Sequence, residues 1–280
     1  MKKPKIVDSF LFWNEFEMLK IRLEYLGDFV DHFLIAEANI DFSGKPKKFL
    51  LTPELIKNLP HSSKIIYQPC HINPFSPKWI FKRLRYLGRH SRFLWRVQDA
   101  QRNSLLAPAK KLPKDTLILF GDIDEIPNID SIKTFIDQSN FVMEQPISLE
   151  QDFFYYTINN RSNESPKWYG TILANIADFI KLKPNYLRYL REQLKSISGG
   201  GWHLSYFMSA EKIREKILAT AEVEKKEAFK SMTSEQITHK IQTGEDLYSD
   251  KQAFPIDPDI KNKVDPKLLS TIKKYLPHCT

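Results

Sequence analysis

At 280 residues, 42% of them hydrophobic and 27% charged, the chain has the make-up of a globular protein, which excludes a fibre or a wholly disordered segment. Lysine and arginine number 42 against 34 acidic residues, a net charge of +8, which suits nucleic acid, an anionic membrane surface, a phosphorylated substrate or simply a solvated lysine-rich exterior. Cys70 and Cys279 are the only cysteines, too few for a disulfide framework or a CxxC metal pair. No apolar run reaches the ~18 residues of a spanning helix and the basic N-terminus lacks a signal-peptide core, so the expectation is a soluble, cytoplasmic protein.

In chain order, Ile6–Phe12 reads as a buried strand, with Asn14 capping a helix in which Leu19, Leu23 and Leu26 recur before Gly27. Phe33–Ala38 and Lys64–Gln68 are further strand candidates, separated by a loop at Ser43–Pro46. From Lys78 to Arg102 the chain is basic and aromatic, with Ile80, Leu84, Leu87 and Leu94 near one helical face and Lys82, Arg83, Arg85, Arg89 and Arg92 elsewhere. Thr116–Phe120 is a continuous β-type run stopped by Gly121 and Asp122, and Ile129–Ile136 follows as a short helix. Phe141–Val142, Ile147–Ile158 and, after three glycines, Trp202–Phe207 read as strands. Ser209 caps a helix with Ile213, Ile217 and Ala221 in register, and Thr233 with Gln236 forms a capping box for another. The tail after Gly244 is proline-rich with little periodicity. Strands alternating with helices predict βαβ units in a mostly parallel sheet. The organisation expected is one domain, 1–246, with residues 247–280 as its C-terminal appendage.

The strongest chemical signal is Leu117-Ile-Leu-Phe-Gly-Asp122-Ile-Asp124-Glu125-Ile-Pro127, an apolar strand running into three carboxylates within four residues. In open α/β sheets ligands bind beyond the carboxyl ends of the strands, so these acids point at a cleft. Crowded carboxylates repel, and a hard divalent cation with oxygen ligands neutralises them. Such a cation, touching a diphosphate, stabilises the charge on a leaving nucleotide. His203, after Gly199-Gly-Gly201, is a candidate third metal ligand beside Asp122 and Asp124. Arg102 in Gln101-Arg-Asn103 has the fork that clamps a diphosphate. Glu150 and Asp152, leading into Phe153–Tyr156, are candidate general bases, with Glu125 a further catalytic carboxylate.

Taken in order, several segments resemble glycosyltransferase family 17, whose members add bisecting N-acetylglucosamine. They are Asp8-Ser-Phe-Leu-Phe-Trp-Asn14-Glu15 with Leu19-Lys-Ile-Arg22-Leu23, Ala36-Glu37-Ala38 with Ser43-Gly-Lys-Pro46, and Gln101-Arg102-Asn103. Gly121-Asp-Ile-Asp-Glu-Ile-Pro127, Trp168-Tyr-Gly-Thr171 and Gly200-Gly-Trp-His-Leu-Ser-Tyr-Phe207 complete the series. The resemblance implies an α/β, glycosyltransferase-A-like fold: a Rossmann-like, mostly parallel mixed sheet flanked by helices. It also implies a UDP-GlcNAc donor, Mn²⁺ or Mg²⁺, inversion at the anomeric carbon, and Asp122 and Asp124 as the DxD on metal and diphosphate. Asn14, Glu37, Asn103 and Trp202, in the matched segments, join Asp122, Asp124 and Arg102 as candidate cofactor-binding residues. The family's membrane-anchored members act in the Golgi; without such an anchor the expected acceptor is a glycan, a surface polysaccharide or a lipid-linked sugar. The stretch from Lys78 to Arg102 offers a peripheral contact with an anionic membrane at its inner face, and nucleic acid is not an expected partner. Two rival readings are a haloacid-dehalogenase-like phosphatase, with Asp122 as nucleophile and Asp124 as acid, and a polyanion or membrane-surface module built on the same basic stretch.

Overall fold

The computed structural model describes residues 3–41, 45–73, 76–77, 79, 90–137, 142–164, 166–219, 229, 231–249 and 251–280, with the backbone alone for 90–94. Strands β1 (Lys5–Phe12), β2 (His32–Ala38), β3 (Ile65–Cys70) and β4 (Thr116–Gly121) form a parallel block in the order β3-β2-β1-β4. Both faces of β1 and β4 are covered, which is why their sequences are apolar runs rather than alternations. The chain winds outward from β1 in one direction to β2 and β3 and in the other to β4. The ends of β1 and β4 therefore flank a topological switch point, where such sheets open a crevice.

Beyond β4 the sheet continues through β7 (Lys167–Asn175), β6 (Ile147–Tyr155), β8 (Ser196–Ser205) and β5 (Glu125–Pro127). Pairings β4–β7, β7–β6 and β8–β5 are antiparallel and β6–β8 is parallel. Only the Asp122–Asp124 turn separates β4 from β5 in sequence, yet three strands lie between them in hydrogen-bond order. The sheet therefore curls over that turn. This is the α/β, glycosyltransferase-A-like mixed sheet flanked by helices expected from the sequence.

Helix α1 (Phe16–Leu26), α2 (His90–Ser104), α3 (Ile129–Ile136), α4 (Ile176–Leu182) and α5 (Pro184–Leu190) cover the sheet, followed by α6 (Ala210–Ala219), α7 (Ser234–Thr243) and α8 (Pro266–Tyr275). One core joins Phe10, Leu19, Leu23, Ile126, Ile132, Leu204, Leu268 and Ile272 on the α1 side. A second, with Val7, Leu34, Ile118, Leu105 and Phe179, lies on the other face.

One ion pair in this frame is fully buried. Arg22, on α1, gives Nε and Nη2 to the two oxygens of Asp8 on β1, both at 2.7 Å, with neither side chain exposed. Its Nη1 donates to the backbone carbonyls of Asp122 (2.8 Å), Ile123 (3.1 Å) and Glu125 (2.8 Å). The guanidinium thus orients three carbonyls of the carboxylate-rich turn from beneath.

Several expectations need correcting. Asn14 does not cap α1: Glu15 holds the N-cap position, and the Asn14 amide reaches Glu215 on α6 at 3.3 Å. The strand expected over Ile147–Ile158 stops at Tyr155, because Tyr156 adopts φ 69°. Val142 is exposed and outside any strand, while Phe141 lies outside the described residues. So do Ile80, Leu84, Leu87, Lys82, Arg83, Arg85 and Arg89 of the basic stretch, and Ala221. The Thr233–Gln236 capping box is present. The tail holds a helix: Asp265 caps α8 through Lys267 N and Leu268 N, and Leu268 and Ile272 bury against the α1 core.

Replacing Arg22 by Met leaves the Asp8 carboxylate buried alone, a change that costs about 3–5 kcal/mol. In urea melts the Asp8→Leu/Arg22→Met double variant recovers part of this, since no unpaired charge remains. It stays about 1–3 kcal/mol below the parent because three turn carbonyls still lack their donor. Full recovery of the parent stability would show that the carbonyl contacts contribute nothing.

Candidate functional site

The turn after β4 is shaped by what lies under it. A Cβ on Gly121 would sit 2.6 Å from Thr171 Oγ1 and 2.8 Å from Glu125 Oε2; glycine alone lets the Glu125 carboxylate tuck beneath the strand end. There Glu125, fully buried, accepts from Asp122 N (2.9 Å), Trp168 Nε1 (2.8 Å) and Arg188 Nη1 (3.0 Å), and pairs with Arg188 Nη2 at 2.7 Å. A carboxylate saturated by four donors has no free lone pair facing a substrate. Glu125, expected among the catalytic acids, anchors the turn instead.

Asp122 and Asp124 both line a cleft of about 560 Å³ at the switch point. Asp122 Oδ2 lies 2.6 Å from Arg188 Nη2, and Oδ1 3.9 Å from Arg102 Nη2. Burial alone would raise its carboxyl, but Arg188, with Arg102 and Arg191 behind it, holds it at about 2. Asp124 faces the other wall, with Oδ2 3.5 Å from Lys216 Nζ on α6 and Oδ1 3.7 Å from His203 Nε2 on β8. Lys216 also meets Glu15 Oε1 at 3.2 Å; burial would lower it, but the two carboxylates raise it well above the usual lysine range.

His203 stacks on Phe153 (centroids 4.9 Å apart, 10° between planes) and tilts against Trp168 at 4.5 Å. Burial keeps its imidazole below the ordinary value, against the pull of Asp124 and Glu125, so it is neutral at pH 7. Among the described residues neither ring nitrogen makes a hydrogen bond, and Nδ1 is buried without a partner.

The residues Gln101-Arg102-Asn103 at the end of α2 do three different things. Gln101 Nε2 reaches the carbonyls of Phe12 (3.3 Å) and Ala36 (3.1 Å), fixing the helix to β1 and β2. Asn103 Oδ1 accepts from Asn185 N at 3.3 Å, holding the start of α5. Arg102 points into the cleft. Its contacts there are long, 3.3 Å to Gln98 and 3.5 Å to Asn185, and its Nε is buried with no partner. A desolvated guanidinium so weakly engaged is a seat for an oxyanion.

Other expected residues stand elsewhere. Glu37 is buried at the end of β2, holding Leu50 N, Leu51 N, Tyr67 and Lys47, so its role is to tether a loop. Glu150 pairs with Lys167 (3.0 Å) and Ser198 (3.1 Å), and Asp152 with Arg161 (2.7 Å) and Lys167 (3.5 Å). Neither lines the cleft, and each is already neutralised, which removes the reason for expecting a base there. Trp202 is core, edge-on to Tyr25; Asn14 and Asn103 brace helices and do not line the cleft. Sequence reasoning passed over Arg188, Arg191 and Lys216, which supply three of the four cleft cations. Lys216 was findable, lying one residue from Ile217 on the expected helix. Arg188 sits on a seven-residue helix, Pro184–Leu190, with no pattern to advertise it.

No group of three or more His, Cys, Asp or Glu side chains among the described residues forms a metal cage. The Asp124 Oδ1–His203 Nε2 separation of 3.7 Å is nevertheless close to that of two ligands sharing one cation. Mg²⁺-type ions are held by one or two protein ligands plus substrate phosphates rather than by a full protein cage. A carboxylate, a neutral imidazole and an adjacent anion seat fit that description. The phosphatase reading, in contrast, needs Asp122 free to attack phosphorus, and Arg188 holds it at 2.6 Å.

A comparison with curated proteins finds no match. Among solved structures the chain is similar to a 4-diphosphocytidyl-2C-methyl-D-erythritol synthase, at 10% identity and TM-score 0.44, covering 78% of this chain and 99% of that one. It is similar to residues 1–349 of S. aureus TarS, at 13% identity and TM-score 0.40 (85% and 71% covered). It is also similar to the galactosyltransferase LgtC in complex with donor and acceptor sugar analogues, at 11% identity and TM-score 0.33 (85% and 95%). The family model for glycosyltransferase family 17 matches residues 1–255, and the chain belongs to that family.

Proposed function

We propose that this glycosyltransferase transfers N-acetylglucosamine from UDP-GlcNAc, with inversion, to a glycan, polysaccharide or lipid-linked sugar, using Mn²⁺ or Mg²⁺ bound at Asp124 and His203. The observation that carries the reading is the Asp124 Oδ1–His203 Nε2 pair, 3.7 Å apart, beside the under-engaged guanidinium of Arg102. The metal, when bound, neutralises negative charge on the departing diphosphate. Arg102 grips that diphosphate, and Arg188 keeps Asp122 ionised and oriented at the turn. Lys216 places a further positive charge on the other wall, beside Asp124, where developing anionic charge is stabilised without reorganisation. Inversion is a direct displacement, in which the acceptor oxygen attacks the anomeric carbon as the nucleoside diphosphate leaves. The base that takes the acceptor's proton belongs among the cleft carboxylates, of which Glu192 is the least engaged, 68% exposed and 3.5 Å from Arg191.

Asp124→Asn and His203→Ala should each reduce transfer from UDP-GlcNAc by about a thousandfold, the loss of several kcal/mol of transition-state stabilisation. Circular dichroism should show both variants folded, and near-parental turnover of either would sink the metal assignment.

Because the protein supplies only two of the metal's ligands, Mn²⁺ alone should shift the melting temperature little, UDP in EDTA only slightly, and the two together clearly. A ligand at a hundredfold its Kd adds about 2.7 kcal/mol. Equal shifts with UDP in Mn²⁺ and in EDTA would argue for a metal-independent transferase.

A further inference from the structure

One wall of the cleft is a single helix face. Trp95, Gln98 and Arg102 all line the cleft from α2. They stand at i, i+3 and i+7, so they share one face, and two turns put the indole about 10 Å along the axis from the guanidinium. Gln101 fixes the rotation of that face through the Phe12 and Ala36 carbonyls. Trp95 is 38% exposed and has no ring or hydrogen-bond partner among the described residues. Its ring offers a flat apolar face to whatever occupies the cleft. Leu11, Phe12 and Trp13, at the end of β1, line the same cleft. Tyr189 closes the same edge, with its hydroxyl 3.5 Å from Asp99, one turn beyond Trp95.

We infer that α2 is the nucleotide-binding wall: Trp95 stacks on the donor's base, Gln98 hydrogen-bonds its ribose, and Arg102 takes the diphosphate. The inference rests on the donor reading above and extends it to Trp95 and Gln98. The three side chains follow the order of a nucleoside diphosphate's parts: a flat π-face for the base, a polar amide for the ribose hydroxyls and a guanidinium for the anion. The spacing matches the reach of such a molecule laid along a helix over the ends of β1 and β2. A sugar acceptor could also stack on an indole, but it offers nothing for the unpaired Arg102 Nε two turns away.

The test measures binding of UDP and of inorganic pyrophosphate, each with Mn²⁺, to the full chain by calorimetry. Trp95→Ala should weaken UDP about tenfold, the worth of one base–aromatic stack, and leave pyrophosphate unchanged. Trp95→Phe should restore most of the UDP affinity, while Arg102→Gln should weaken both ligands. UDP should also quench tryptophan fluorescence in the parent and much less in Trp95→Phe. Unchanged UDP affinity in Trp95→Ala overturns the inference while leaving the donor reading standing, whether or not the acceptor's KM rises. Failure of the parent to bind UDP, GDP or CDP overturns both.

Discussion

The Arg22–Asp8 ion pair is the contact on which the site depends. A fully buried charge pair is a poor source of stability, because desolvation cancels much of its attraction. Its value here lies in what the remaining guanidinium hydrogens do. They gather three carbonyls of the turn between β4 and β5, where the backbone must reverse and the sheet must curl. With those carbonyls drawn inward toward Arg22, the Asp122 and Asp124 side chains are left on the cleft side. Arg188 completes the arrangement by clamping Asp122 to the buried Glu125. One cation thus fixes the backbone of the turn and another fixes its side chains.

Charge balance follows from the same geometry. Asp122, Asp124, Glu15 and Glu192 line the cleft with Arg102, Arg188, Arg191 and Lys216, four of each sign among the described residues. A neutral cleft has little electrostatic call for a free divalent ion. A diphosphate alone would bring uncompensated negative charge, and a metal–diphosphate complex brings far less. The cleft is therefore better matched to that complex than to either component, which is the physical basis for proposing one site for metal and nucleotide.

The strand ahead of Asp122 was legible because its signal is local: four apolar residues, Leu117–Phe120, then carboxylates, with burial and chemistry a few positions apart. The parallel block was legible for the same reason, since β1, β2 and β4 are predominantly apolar. Glu37, Glu150 and Asp152 show the limit of such reasoning. A carboxylate in an apolar context looks the same in sequence whether it serves substrate or a neighbouring lysine, and here Lys47, Lys167 and Arg161 take them. Arg188 was illegible because its partners are more than sixty residues away and its helix is too short to show periodicity. Arg22 was visible only as part of a matched segment. A buried arginine on a helix shows its purpose only when β1 and the distant turn are brought beneath it.

The C-terminal tail belongs to the same support. The family match ends at residue 255, yet Ile260, Val264, Leu268, Ile272 and Leu276 enter the same core as Leu19 and Leu23 of α1. Lys274 and Tyr275 both reach Glu24, and Lys267 reaches Asp28 at the end of that helix. Helix α1 is the element that presents Arg22 to the turn and whose first residues brace Lys216 through Glu15. A segment beyond the matched region thus packs on the helix that shapes the carboxylate-rich turn. What reads in sequence as a proline-rich appendage is, in space, the outer support of α1. Its effect on the cleft is carried through the position of one buried guanidinium.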